Sequence, residues 1–211
     1  MDKTPHLSQR MRQLSSTKLA YVNVKNGSLL RTLERKLTTN QCKALSGAGA
    51  SHVLYAGDEQ YSNRTKSYWS VSSQLKPDCI VQPRSTNDVS TVVKTLVEDT
   101  SCKNTQFAVR SGGHMIWGGS NNIKNGITVD LGLMNSTKPD PETNIAAIQP
   151  GSRWGQVYAT LDPLGVTVAG GRAASVGVAG FLTGGGNSFY SARQGFACDT
   201  VMNFEVVLAS G

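Results

Sequence analysis

The sequence lacks any long hydrophobic run. No stretch approaches the roughly 18–20 apolar residues that a membrane-spanning helix needs, so no membrane partner is expected. The first 30 residues hold no compact apolar segment of the kind a secretory signal carries. Histidine is scarce, with only His6, His52 and His114. The four cysteines, Cys42, Cys79, Cys102 and Cys198, show no C-x-x-C spacing, which argues against a cysteine metal site. No G-x-x-x-x-G-K-S/T loop is present, so the usual triphosphate cradle is excluded. The dinucleotide fingerprint G-x-G-x-x-G is missing where a strand–helix turn would need it. No G-x-S-x-G elbow exists, and a Ser-His-Asp hydrolase built on His114 has no placed partners.

What is present is ordinary for a globular chain, except for glycine. The 22 glycines of these 211 residues cluster rather than scatter, and clustering points to ligand-holding loops. Charge is uneven. Residues 1–50 carry nine Lys/Arg and two Asp/Glu, whereas the remainder carries twelve of each. The basic residues stand singly, without aromatic interleaving and without a recognised module, so no nucleic-acid partner is expected. Asn63-Arg64-Thr65 and Asn135-Ser136-Thr137 are glycosylation sequons. A disulfide such as Cys42–Cys102 requires an oxidising compartment.

Hydrophobic periodicity places the elements. Leu30, Leu33 and Leu37 share one helical face, and Cys42–Leu45 reads as a short helix ended by Gly47 and Gly49. Cys79-Ile80-Val81 reads as a buried strand before Pro83. Ser85–Asp88 carries a capping signature ahead of Val89, Val92, Val93, Leu96 and Val97, which fit one face of a helix and are expected in the core. Gln106–Val109, Ile127–Leu131, Ala146–Gln149, Val166–Val168 and Asn203–Leu208 read as strands. Trp154, Val157, Tyr158 and Leu161 give a further helix. Short strands and long loops favour a mixed α/β or α+β domain over a doubly wound sheet. The sequence stops at Ser210-Gly211, directly after an apolar strand, and truncation is therefore expected.

Arg110-Ser111-Gly112-Gly113-His114 leaves the strand ending at Val109. Two adjacent glycines let a backbone pass close to a bulky ligand and turn successive N–H groups into one concavity. Such a concavity suits phosphate, and Arg110 is expected to add a charge-assisted contact. His114 stands at the loop's end, beside whatever the loop holds. A second glycine-rich run, Gly177–Gly186, offers the other half of one site.

Five segments occur in order: Arg110–His114, Ile127–Leu131, Gln149-Pro150-Gly151, Gly170-Gly171-Arg172 and Ser175–Gly186. This order resembles the FAD-binding domain of the p-cresol methylhydroxylase (PCMH) and vanillyl-alcohol oxidase superfamily, in particular its berberine-bridge-enzyme-like, FAD-linked oxidoreductases. The resemblance covers residues 40–211 and leaves 1–39 as a basic N-terminal extension. It implies an α+β, PCMH-type FAD-binding domain of two small α/β lobes, with a C-terminal substrate domain missing. It also implies that His114 bonds covalently to the 8α-methyl carbon of FAD and that Ser111, Gly112 and Gly113 hold the pyrophosphate side. Gly171 and the run Val176, Gly177, Gly180, Gly184, Gly185 and Gly186 are expected to close over the cofactor. Asp130 and Asn135 resemble positions that settle the ligand-facing loop, although a carboxylate at a strand end also caps turns. Trp117 and Tyr190 are candidates to flank the flavin, or packing residues.

Some relatives attach the flavin a second time through a cysteine. That position here is Ala173, so a single link is expected. The resemblance implies an FAD-linked oxidoreductase of secondary metabolism that passes a hydride from a small organic substrate to the flavin and on to O₂. No catalytic base is named, and no metal is expected. Relatives are often secreted. The alternative is a truncated, inactive flavin-binding remnant, or a subunit completed by a partner chain.

Overall fold

A parallel pair of strands flanked on each side organises the first half of the molecule. The computed structural model describes residues 40–50, 52–99, 102 and 105–211. The helical face expected at Leu30–Leu37 lies outside them. Strands β1 (Val53–Tyr55), β2 (Cys79–Val81), β3 (Phe107–Arg110) and β4 (Ile127–Asp130) form one sheet in the order β1-β2-β4-β3. β1 runs antiparallel to β2, and β2, β4 and β3 are mutually parallel along the order. β2 and β4 are buried along their whole length, as central parallel strands covered on both faces must be.

Side chains alternate across this sheet. Cys79, Val81, Ile127 and Val129 pack on one face with Cys42, Leu45, Val92 and Leu96, which come from helix α1 (40–47) and helix α3 (Thr86–Glu98). Leu54 and Ile80 pack on the other face with Tyr61 of helix α2 (Glu59–Lys66). α3 starts where the capping signature predicts, with the Asp88 N–H donating to Ser85 Oγ at 3.1 Å. Its five periodic apolar residues are not all core. Val92 and Leu96 are buried, Val89 and Val93 are half-buried, and Val97 is exposed. The sheet covers a narrower stripe of the helix than the sequence pattern allows.

The second half has its own core. Strands β5 (Thr137–Asp140) and β6 (Ile145–Ile148) form an antiparallel hairpin, turned by Asn144 in the left-handed region. Trp154, Val157 and Leu161 of helix α4 (Trp154–Leu161) bury against Val178 of helix α5 (Val178–Thr183), with Ala146 and Ile148 packed on them. A short helix α6 (Ser191–Gln194) and a 3₁₀ turn (Ala197–Thr200) follow. The architecture is thus α+β with two small lobes, as expected.

Three expectations are corrected. Val166–Val168 and Asn203–Leu208 form no strand and belong to no sheet. A strand needs a neighbour's backbone as well as an apolar pattern, and none of the described strands pairs with either segment. Cysteine pairing also differs: the disulfide joins Cys42 to Cys79 rather than to Cys102. It ties α1 to the middle of the sheet across a sequence separation of 37 residues. Among the described residues no helix is long and apolar enough to cross a membrane.

Closing a loop of this size restricts the unfolded chain by about 3–4 kcal/mol. Replacing Cys42 and Cys79 together by serine is expected to lower unfolding stability by that amount in a denaturant titration, with little change in the folded spectrum.

Candidate functional site

The two glycine-rich runs meet backbone to backbone. A Cβ built on Gly112 would stand 2.5 Å from both N and Cα of Gly177, and one on Gly177 would clash in return with Gly112. Only glycine at both positions allows the approach. The junction is fastened on several sides. Ser111 Oγ donates to the Pro150 carbonyl at 2.6 Å, and the Arg153 guanidinium donates to the Gly112 carbonyl at 2.8 Å. The N–H groups of Trp154 and Val178 donate to the carbonyls of Val176 and Ser152 at 3.0 and 2.9 Å. Gly113 carries a positive φ of 69°, and its Cβ would strike the Arg110 side chain.

His114 emerges from this junction into a cleft of about 200 Å³ lined by Lys66, Ser67, Tyr68, Trp69, Gly112, His114, Arg153 and Ser175. Its Nε2 lies 3.1 Å from Ser175 Oγ. The Trp69 ring stacks on the imidazole with centroids 4.6 Å apart and planes 12° from parallel. Burial holds the imidazole below its ordinary value of 6.5; a backbone group of its own residue opposes this, and the charge of Arg153 adds to it. The ring is therefore neutral at pH 7, with a lone pair available for bonding.

Arg110 is placed otherwise than a phosphate contact requires. Its guanidinium is fully buried. It donates to the Arg64 carbonyl at 2.8 Å and to Ser67 Oγ at 2.8 Å, and it lies 3.8 Å over the Tyr68 ring. Burial lowers its pKa, and the charge of Asp130 pulls it back up. Arg110 thus braces the loop from behind. The Tyr68 hydroxyl, buried in the same layer, is pushed well above the ordinary phenol range, chiefly by burial.

Asp130 is a buried hub of this layer. Arg64 grips it through Nε and a terminal nitrogen at 2.6 and 2.7 Å. Gln82 Nε2 donates to it at 3.0 Å, and so does the Gly132 N–H. The capping role and a charge-pairing role are therefore both present, and Asp130 is absent from the cleft lining. Asn135 is exposed on the turn before β5.

The remaining predicted residues divide. Gly171 lies beneath the Trp154 indole and accepts a hydrogen bond from the Tyr158 hydroxyl at 2.8 Å. Val176 and Gly177 reach the His114 loop, but Gly180 is exposed on α5. Gly185 and Gly186 turn with positive φ, and their carbonyls accept from Cys198 and Ala197. Gly184 caps the end of α5. Gly180 and Gly184–Gly186 do not line the cleft with His114. Trp117 is 71% exposed, Tyr190 is exposed too, and neither lines the cleft. Ala173, the position expected to lack a second link, is exposed beside Ser175.

Sequence reasoning missed Trp69, Arg153, Lys66 and Arg64 as site residues. Each comes from outside the glycine runs, and no local pattern marks it. Ser175 stands inside a quoted motif, yet only the fold brings its hydroxyl to His114.

Two outcomes follow. The His114 imidazole is expected to titrate below 6.5 in an NMR pH series, and Arg153→Gln is expected to raise its midpoint. Below 6.5 the unfolded chain binds a proton that the folded site refuses, so stability falls as pH drops through that window and is unchanged above it. Asp130→Asn leaves Arg64 without its counter-charge and is expected to cost about 3 kcal/mol in a denaturant titration.

A model of the FAD binding domain matches residues 77–211. The chain is 46% identical over 171 residues to the FAD-dependent monooxygenase drtC of Aspergillus calidoustus, covering 81% of this chain and 33% of that relative. It is 47% identical over 171 residues to the FAD-dependent monooxygenase sdcF of Emericella nidulans, covering 81% of this chain and 35% of that relative. The chain therefore spans about a third of the length of these curated relatives. Among solved structures, a xylooligosaccharide oxidase from Myceliophthora thermophila C1 in complex with xylobiose superposes with a TM-score of 0.67 at 26% identity, over 81% of this chain and 35% of that one. Berberine bridge enzyme in complex with (S)-reticuline shares the fold with a TM-score of 0.65 at 22% identity, over 77% of this chain and 34% of that one. With the glycine junction and its histidine in place, the family match over more than half of its length shows that the chain belongs to the FAD-binding-domain family.

Proposed function

We propose that this unit holds FAD through the Gly112–Gly177 junction and carries it covalently on His114. The observation that carries the proposal is the junction itself, where two loops touch without side chains and the His114 imidazole opens into the adjoining cleft. The residues fit the group. Bare backbone at Gly112 and Gly113 lets a dinucleotide lie close against main-chain N–H groups. Lys66 and Arg153 line the same cleft and bring positive charge to a diphosphate. The link would join an imidazole nitrogen of His114 to the 8α-methyl carbon of the flavin, each giving up one hydrogen, and the two protons and two electrons released would reduce dioxygen to hydrogen peroxide. Ala173 has no nucleophile, so the link is single.

FAD, when bound, supplies a two-electron acceptor. The chain's own residues orient it, with Trp69 stacked against the imidazole ring. In the whole protein, we infer oxidation of a small organic compound of secondary metabolism, with O₂ as the terminal acceptor. The names of the fungal monooxygenase relatives support this class. A second reading is a flavin-holding unit that turns over only when another polypeptide covers it. Exposed Met115, Ile116 and Trp117 beside His114, and exposed Met202, Phe204, Val206 and Leu208, favour it, because apolar surface of this extent seeks a cover.

Full-length chain made with ample riboflavin is expected to keep yellow, fluorescent flavin through acid precipitation, and His114→Ala is expected to lose it. A colourless wild-type pellet contradicts the covalent reading. Oxygen consumption by the wild-type chain alone favours the first reading over the second.

A further inference from the structure

We propose that Ser175 is a positioning residue for His114, its hydroxyl and the Trp69 ring together fixing the plane of the imidazole that receives the flavin. The proposal rests on the covalent reading above and goes beyond it, because it assigns roles to two residues outside the glycine loop.

An imidazole on a glycine-rich loop has little reason to hold one orientation. Gly112 and Gly113 supply no side chains to pack against it, and rotation about its own side-chain bonds is soft. Here the ring is held from two directions. Ser175 Oγ meets Nε2 at 3.1 Å, and the indole of Trp69 covers one face nearly parallel at 4.6 Å. Each holder is itself anchored. On either side of Ser175, the Ala174 and Val176 carbonyls accept hydrogen bonds at 3.0 Å from the N–H groups of Gly155 and Trp154, at the start of α4. The Trp69 N–H donates to the Gly113 carbonyl at 3.0 Å, which ties the indole's backbone to the histidine's own loop. The clamp therefore draws on both lobes: His114 and Trp69 belong to the first, Ser175 to the second.

A serine hydroxyl both donates and accepts, so it holds the ring in either tautomer. What it restricts is angle. Bond formation between a nucleophile and a carbon demands near-attack geometry, and a freely turning ring spends most of its time outside it. Removing the hydroxyl should slow linkage without weakening non-covalent flavin binding, which depends on the backbone junction. Ser175 offers no other hydrogen bond among the described residues to explain its place.

The test uses the full chain, prepared free of flavin and then incubated with FAD in air. Acid-stable flavin is counted at fixed times, and reversible FAD binding is measured separately. Ser175→Ala is expected to slow linkage on the order of tenfold, with reversible affinity kept. Ser175→Thr, which keeps the hydroxyl, restores the rate. In ¹⁵N NMR of the flavin-free chain, the His114 Nε2 resonance is expected to move in Ser175→Ala and to return in Ser175→Thr. Linkage in Ser175→Ala at the wild-type rate, or an unmoved Nε2 resonance, overturns the proposal. Equal slowing in both variants also overturns it, because the hydroxyl is then not the cause. Should wild type itself form no acid-stable flavin, the covalent reading fails, and the clamp is decided by the Nε2 resonance alone.

Discussion

The contact between Gly112 and Gly177 is the constraint on which the rest of the structure depends. Each residue occupies the space that the other's Cβ would need. The first belongs to the loop that leaves the sheet, the second to the segment that opens α5. Their approach turns two small cores into one site, because it sets the imidazole of His114 against the hydroxyl of Ser175. Neither core alone builds the cleft. Side chains are excluded where the chains touch, so main-chain groups and a few anchored side chains do the holding.

Behind the junction lies a layer of buried charge that looks unfavourable in isolation. Arg110 and Asp130 are fully buried, and Arg64 is partly so. Removing such groups from water costs several kcal/mol each. The layer is tolerable because it is densely paired. Two arginines, a carboxylate, Gln82, Ser67 and backbone carbonyls pair with one another, Tyr68 stacks under Arg110, and Arg110 Nε alone of its guanidinium nitrogens has no hydrogen-bond partner among the described residues. β3 and β4 place Arg110 and Asp130 as register partners. The parallel pairing of these strands thus sets the rigid back wall against which the histidine loop is built.

Much of this was legible in the sequence, for identifiable reasons. β2, β4, α3 and α4 carry strong periodic patterns, so their boundaries fell within a residue or two of the observed ones. The glycine loops were legible because closely packed backbone permits few residues besides glycine. What was not legible depends on partners distant in the chain. β5 holds Lys138, Pro139 and Asp140 and has no apolar pattern; it is a strand because β6 lies beside it. Val166–Val168 and Asn203–Leu208 have the pattern and lack the neighbour. Cys42 pairs with Cys79 because α1 packs on β2, a tertiary fact that spacing does not encode. At the site, the two glycine runs that meet were marked by their composition, but the inward turn of Arg110 and the arrival of Trp69, Arg153 and Ser175 arise only from the meeting of the two lobes.

The most direct test of this account is a fluorescence titration of FAD against Gly112→Ala and Gly177→Ala, each compared with wild type. The account predicts that one added methyl group at either position forces the loops apart and abolishes saturable flavin binding, while both variants keep the Cys42–Cys79 bridge and a buried Trp154. Wild-type binding curves from either folded variant would contradict it.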